Sequence, residues 1–386
     1  MEFWHFTEMP YPHVADDGPR AVVLGSRHFD PVIGRDLYNR YLDEYVLADE
    51  LGFNVMLNEH HATAGCINVA GPLSCAILAR ETKRARILIL GNPIANRADP
   101  LRIAEEMAMI DCISGGRLEV GFVRGVTNEL FPANTNPALT YERLWDGIDL
   151  VLKAWSEQDG PFNYEGRFWH YRNANVWPRC FQAPHPPIWI TGGANADNVK
   201  EVARRGYTFA SFLQPYEAVK KLFDAYRDGC AEAGLPAPGP ERFAYMPFVY
   251  TAESEEEALK GAQHLMWYIG GRSEPQFSNP VGYSTVQAVM AGLRGQSASR
   301  TAFLRQGGLP LMREKGALIV GTPDSVYEQI VAFVERVGGL GNLLMMQQGG
   351  AMPHEDTVRS MTLFARDVMP RLKKRFGTAS AVKAAE

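Results

Sequence analysis

Apolar residues fall into short alternating or continuous runs separated by longer stretches of helical spacing, and the two kinds take turns along the chain. Glu2–Met9 alternates and reads as a first strand, followed by a Pro/Gly/Asp-rich loop, Pro10–Pro31. Leu37, Tyr41, Tyr45, Ala48 and Leu51 recur at helical spacing up to Gly52, a residue suited to a helix stop. Asn54–Asn58 is a second strand, Ala70–Thr82 a helix, and Arg86–Leu90 a third strand that ends in Gly91-Asn92-Pro93. Asp99-Pro100 predicts a helix start with an acid at the cap, and that helix runs to Gly115. The fourth strand, Arg117–Gly125, places Leu118, Val120 and Phe122 on one face with Arg124 at its far end.

The rhythm resumes with a helix over Tyr141–Trp155 and an aromatic, proline-rich stretch over Gln158–Pro187, predicted to fold as a hairpin turning at Glu165-Gly166. Strands at Ile188–Thr191, Thr208–Leu213 and Phe243–Tyr250 alternate with helices over Asp197–Gly206, over Glu217–Ala233 and from Ser254. Trp267–Lys315 is rich in Gly, Ser and Gln and breaks the pattern. A helix opens at Thr322-Pro323-Asp324, Leu343–Met346 is the last strand, and Glu355–Lys374 the last helix. Eight strands, each followed by a helix, predict a closed (β/α)8 TIM barrel in preference to an open sheet, because closure removes both edges. The expected organisation is one domain over residues 1–376, with excursions at 126–140, 158–187 and 267–315 around the C-terminal mouth and a frayed tail over 377–386.

Composition narrows the function. With 386 residues, 46% hydrophobic, 22% charged and a net charge of −5, the chain supports a large core. It carries no basic footprint for nucleic acid. Five scattered cysteines without a CxxC pair favour a reducing compartment. The absence of an 18-residue apolar run or a leader-like start points to a soluble, cytoplasmic protein with no membrane association.

Candidate chemistry gathers at strand ends. In Glu59-His60-His61, adjacent residues on a strand point to opposite faces, so the two histidines do not form a metal pair; Asn58 and His60 share one parity. An imidazole aimed into the mouth suits a general base, and a structural histidine explains the same residue. Gly91-Asn92 leaves little side chain at the third strand's tip, suiting close approach by a flat ligand or an ordinary turn. Gly192-Gly193-Ala194-Asn195 joins a strand to a helix, where free N–H groups offer an anion site. No Walker loop, GxGxxG or Gly-x-Ser-x-Gly elbow occurs.

Taken in order, these stretches resemble the bacterial luciferase family of flavin-dependent monooxygenases. The resemblance runs through Phe3–Phe6, Asn58–His61, Gly91–Glu106, Asp111–Arg117, Gly121–Gly125, Pro187–Gly193, Gly321–Pro323 and Met361–Pro370. It implies a barrel that binds reduced FMN (FMNH2) at its C-terminal mouth. His60 matches the active-site histidine, a general base or hydrogen-bonding group near the flavin. Arg124 matches the arginine that contacts the flavin phosphate. Gly91-Asn92 matches a backbone site beneath the ring that holds a non-proline cis bond. Gly193, Ala194 and Asp197 match the turn that helps hold the phosphate, and Phe6 a residue of the mouth. Val123 stands where light-emitting members carry a cysteine, and Gly193-Ala194 replaces an acid–serine pair, so luminescence is not expected. The resemblance further implies O2 as co-substrate through a flavin C4a-hydroperoxide, a small and largely apolar organic substrate, a separate NAD(P)H-dependent flavin reductase, and a homodimer. Three rivals remain at this level: an F420-dependent hydride-transferring oxidoreductase, a metal-dependent barrel hydrolase and a non-catalytic flavin-binding partner subunit.

Overall fold

The computed structural model describes residues 1–14, 25–130, 132–192, 195–269, 290, 303–304 and 308–377. Gly193, Ala194, most of the 267–315 excursion and the end of the tail lie outside the described residues. The first half of the chain gives β1 (Glu2–Thr7), α1 (Pro31–Leu51), β2 (Asn54–Leu57), α2 (Gly71–Glu81), β3 (Ile87–Asn92), α3 (Leu101–Ser114) and β4 (Leu118–Phe122). A one-turn α4 (Thr127–Leu130) and α5 (Thr140–Ser156) lead to an antiparallel hairpin, β5 (Phe162–Glu165) and β6 (His170–Ala174). Then come β7 (Ile188–Thr191), α6 (Ala196–Arg204), β8 (Thr208–Phe212), α7 (Tyr216–Glu232), β9 (Phe243–Met246), β10 (Phe248–Thr251) and α8 (Glu255–Leu265). The last strands are β11 (Leu318–Gly321) and β12 (Asn342–Gln348).

The sheet runs β1-β2-β3-β4-β7-β8-β9-β12, all parallel, and β12 pairs back onto β1 from Glu2↔Asn342 onward, which closes the expected eight-stranded barrel. The seventh wall strand is in two pieces because Pro247 has no N–H to give to a ladder. β9 pairs with β8 and β12, whereas β10 touches β12 at Phe248 and otherwise pairs with β11. β11 is a strand the periodicity does not reveal. Its three apolar residues, Leu318–Val320, follow a Gly/Ser/Gln-rich stretch that breaks the alternation of strand and helix around them.

Strand alternation divides the core into two layers. Trp4, Phe6, Leu88, Leu90, Trp189 and Met246 point into the barrel, whereas Phe3, Ile87, Ile89, Val120, Phe122 and Ile190 pack against the helices. The floor is polar at its centre. The Glu119 carboxylate takes the Trp189 indole N–H at 2.5 Å and Arg86 Nη1 at 2.6 Å, and the Arg86 guanidinium lies over the Trp4 ring at 4.8 Å.

Local signals explain most helix ends. Asp30 caps α1, accepting from Val32 N at 2.8 Å, and Gly52 ends it with φ 84°. Gly115 ends α3 with φ 66°. The start of α3 departs from expectation: Pro100 occupies the cap, and Asp99 instead accepts the Tyr171 hydroxyl of the hairpin at 2.6 Å. The last helix is interrupted by a π turn at Phe364–Val368, where Pro370 withholds its N–H from the ladder. No helix among the described residues is long and apolar enough to cross a membrane.

Candidate functional site at the barrel mouth

The C-terminal ends of the strands surround a cavity of ≈ 240 Å³. Its wall is mostly apolar, with Phe6, Met56, Leu90, Val123, Met246 and Leu344 contributed by six different strands or their ends. Polar groups enter from the ends of β1, β2 and β4, and from Thr191 of β7 and Ser211 of β8. This is where parallel barrels place ligand chemistry, because each strand's last inward residue and the loop after it converge there.

β2 ends in Asn58-Glu59-His60, and each side chain is fixed by a different neighbour. Asn58 Nδ2 donates to Glu8 Oε2 at 2.6 Å, and the Asn58 carbonyl accepts Asn68 Nδ2 at 2.7 Å. Glu59 turns away to the base of α2, where Oε2 accepts Gly71 N at 2.9 Å while Oε1 accepts Arg97 Nη2 at 2.7 Å. His60 stays in the mouth with its side chain 17% exposed. Its Nδ1 lies 2.9 Å from Glu129 Oε1, and its Nε2 lies 4.0 Å from Glu8 Oε2. Glu129 comes from α4, the single turn after Arg124-Gly125, and also accepts His61 N at 3.1 Å and Val126 N at 3.0 Å.

The electrostatics follow from this packing. Burial opposes a charge on His60, but the charge and hydrogen bond of Glu129, reinforced by Glu8 and Glu59, push the imidazole up to about 9. Burial also pulls the Glu129 carboxyl up; His60 and the Val126 N–H overcome it and hold the group below the usual carboxylate range. The Cys66 thiol behind Asn58 is raised well above its ordinary value, mainly by burial, and is therefore neutral and unreactive.

Arg124 stands at the end of β4. Its guanidinium lies 3.9 Å from the Tyr141 ring centroid and reaches Thr140 Oγ1 at 3.4 Å. Among the described residues no carboxylate lies within 4.0 Å of it, so most of its donors remain available. Leu118, Val120 and Phe122 face the helix layer, and Arg124, past the end of the strand, stacks on Tyr141 of α5 at the edge of the cavity.

The residues singled out from the sequence divide clearly. Phe6, His60, Gly91, Val123 and Arg124 come together around the cavity. A Cβ on Gly91 would sit 2.7 Å from Val123 Cγ1, so the two residues pack as one surface. Asn92 is not part of that surface. It is fully buried and donates to Gly121 O at 3.1 Å, with Met107 of α3 beside it. The non-proline cis peptide is Leu90–Gly91, one bond before the Gly91-Asn92 pair singled out for it. Asp197 is exposed in the first turn of α6 and away from the cavity lining. The N–H groups of Asp197 and Asn198 are already taken by Asn195 Oδ1, so this part of the helix start is not a free anion site. Among the described residues no group of three His, Cys, Asp or Glu is arranged to hold a metal ion.

Glu129 and Glu8 are the site residues that sequence reasoning missed. Glu129 lies in an excursion without periodicity, where a lone acid has no signal. Glu8 ends a strand whose alternation does mark an inward position, since Trp4 and Phe6 share its parity.

Three comparisons bear on this geometry. A family model described as luciferase-like monooxygenase matches residues 22–339. The oxygenase component of flavin-dependent trigonelline monooxygenase from Acinetobacter baylyi is 29% identical over 238 residues, 60% of this chain and 64% of that protein, so the match spans just under two thirds of that relative. The crystal structure of monooxygenase RslO1 from Streptomyces bottropensis superposes with a TM-score of 0.72 at 26% identity, covering 96% of this chain and 100% of that one. The oxygenating constituent of 3,6-diketocamphane monooxygenase from Pseudomonas putida, a type II Baeyer–Villiger monooxygenase in complex with FMN, gives a TM-score of 0.72 at 19% identity, covering 96% and 98%, a likeness of fold.

Proposed function

This chain belongs to the luciferase-like monooxygenase family, and on that premise we propose that it is the oxygenase component of a two-component monooxygenase, using FMNH2 and O2 to oxygenate a small, largely apolar organic molecule. One observation carries the reading: an apolar-walled cavity with His60 held among carboxylates and a second cation, Arg124, that has no carboxylate partner among the described residues.

The donor set fits a flavin mononucleotide. Arg124 would bind the phosphate, a role suited to a planar guanidinium with no carboxylate partner among the described residues. The Gly91–Val123 surface and Phe6 would lie against the apolar ring system, since none of them adds a polar side chain to the cavity wall. Bound reduced FMN would supply the electrons by which one oxygen atom of O2 leaves as water while the other enters the substrate. The chain's own part is to orient these reactants, to keep water out with the Met56, Leu90, Met246 and Leu344 wall, and to offer a hydrogen bond at His60 Nε2. A separate reductase would provide the FMNH2, a reading supported by the trigonelline relative's being named an oxygenase component.

The test is rapid mixing of anaerobic protein and FMNH2 with oxygenated buffer, followed by flavin absorbance. A long-lived oxidised-flavin precursor seen only with protein supports the reading. Oxidation at the protein-free rate, together with no binding of reduced FMN, would overturn it and direct the same titration to F420.

A further inference from the structure

The position of one carboxylate extends this reading and rests on it. We propose that Glu129 is a positioning residue that keeps His60 protonated on both ring nitrogens, so that the mouth presents an N–H donor at Nε2 to a partially negative atom of its occupant. Of the two roles open to His60, base and hydrogen-bonding group, the packing selects the second.

The first step is the tautomer. Glu129 Oε1 receives the His61 backbone N–H and Oε2 receives that of Val126, at 3.1 and 3.0 Å. Backbone N–H groups can only donate, so both carboxylate oxygens are acceptors. With its carboxyl held below the usual range, Glu129 is ionised at neutral pH, and the 2.9 Å contact to His60 Nδ1 is a bond donated by the ring. Nδ1 carries a proton, and only the state of Nε2 remains to be decided.

The second step is charge. Glu129 is buried, and among the described residues His60 is its only side-chain ion partner within 4.0 Å. A neutral His60 would leave that buried carboxylate with no ion partner within 4.0 Å among the described residues, an arrangement folded proteins avoid because desolvation is not compensated. The groups around the ring point the same way. From β1 comes Glu8, 4.0 Å from Nε2. From the end of β2 come Glu59 and His61, which contact each other at 3.3 Å, and from the loop after them the neutral Cys66 thiol. Arg97, from the loop after β3, is held by Glu59 at 2.7 Å and offsets that carboxylate, not Glu129. Glu129, in direct contact with the ring, is therefore the anion that sets its state.

The third step is direction. Nε2 is too far from Glu8 for a direct hydrogen bond, and the His60 side chain lines the cavity. Its N–H is thus available to an acceptor atom of the occupant: a carbonyl or carboxylate oxygen of the substrate, or a reduced oxygen atom. Because Glu129 follows Arg124 in the same short loop, one segment sets both positive groups of the mouth.

The experiment follows the histidine directly in ligand-free protein. Histidine-selective 15N labelling and NMR titration of wild type, Glu129→Gln and Glu129→Asp, with His60→Gln to assign the signal, reads both ring nitrogens. In wild type both are expected to be protonated at neutral pH. Glu129→Gln is expected to move the His60 titration down by about one pH unit or more, and Glu129→Asp to restore part of the shift. In steady-state assays the alkaline limb of kcat/KM should move down with it in Glu129→Gln and return in Glu129→Asp. A wild-type His60 that titrates at or below its ordinary value, or one that Glu129→Gln leaves unmoved, overturns the proposal. The expected NMR behaviour in a protein that binds no reduced FMN would uphold the positioning of His60 and overturn the flavin reading instead.

Discussion

In the barrel floor, the Trp189 indole nitrogen donates to Glu119 Oε2 at 2.5 Å, while Arg86 holds the other oxygen of the same carboxylate at 2.6 Å. Glu119 is buried, and burial raises its pKa above the ordinary value although Arg86 and Trp189 work against that. Arg86→Ala removes the counter-ion and leaves the carboxylate in place. The expected loss at neutral pH is about 3 kcal/mol, the low end for breaking a buried pair because Arg86 is partly exposed. Protonating Glu119 removes the unpaired charge, so the deficit relative to wild type should shrink as the pH falls toward 5. Urea unfolding of both proteins at the two pH values checks this; an equal deficit at both would contradict it.

The His60–Glu129 pair predicts a different pH dependence. A histidine whose folded pKa is raised contributes stability that is fully present below its unfolded value, near 6.5, and is lost as the pH rises through about 9. Glu129, whose folded pKa is depressed, contributes stability present above its unfolded value and lost as the pH falls through the folded one. On the alkaline side the change should be on the order of 2–3 kcal/mol. Urea midpoints between pH 6 and 9.5 measure it. The variant His60→Gln should lack this alkaline slope.

Arg124→Ala should weaken FMN binding by about 10- to 100-fold, the equivalent of one or two charge-assisted hydrogen bonds. Riboflavin has the same ring without the phosphate, so its affinity should stay close to that of wild type. Flavin fluorescence titration of both ligands makes the comparison. A parallel loss for the two would place Arg124 against the ring or the ribityl chain.

Gly125 has φ 81°, and a Cβ there would meet the Asn96 amide nitrogen. Gly115 has φ 66° with nothing within 4 Å of the same position. Both alanine substitutions force a left-handed residue, at a cost of about 1 kcal/mol each. Gly125→Ala adds a steric clash and should lose about 1–2 kcal/mol more. Chemical denaturation of the two variants isolates that difference.

The barrel was legible because its signals are local and repeated. Short apolar runs alternate with stretches of helical spacing, Gly52 and Gly115 stop helices where the pattern ends, and the parity of His60 places it with Asn58. β11 was hidden by its setting, since three apolar residues after a polar excursion fit several structures. Asp99 carried a good cap signal that a distant hairpin hydroxyl took over. Glu129 was invisible for a similar reason. Its meaning comes from His60, 69 residues earlier in the chain, and no periodicity connects the two. The Asn92 side chain was not foreseen to turn inward onto Gly121 O, because a strand end alone does not say which way the next side chain turns.

The polar knot of Trp4, Arg86, Glu119 and Trp189 also governs traffic. The two indoles and the carboxylate leave almost no exposed surface at the base, so on the proposed reading flavin and substrate would both use the C-terminal mouth. A molecule seated deep in such a vessel has to depart after the one above it, or be passed around. Turnover would then acquire an order of arrival and departure set by stacking, with the ligand nearest the rim acting as the cork.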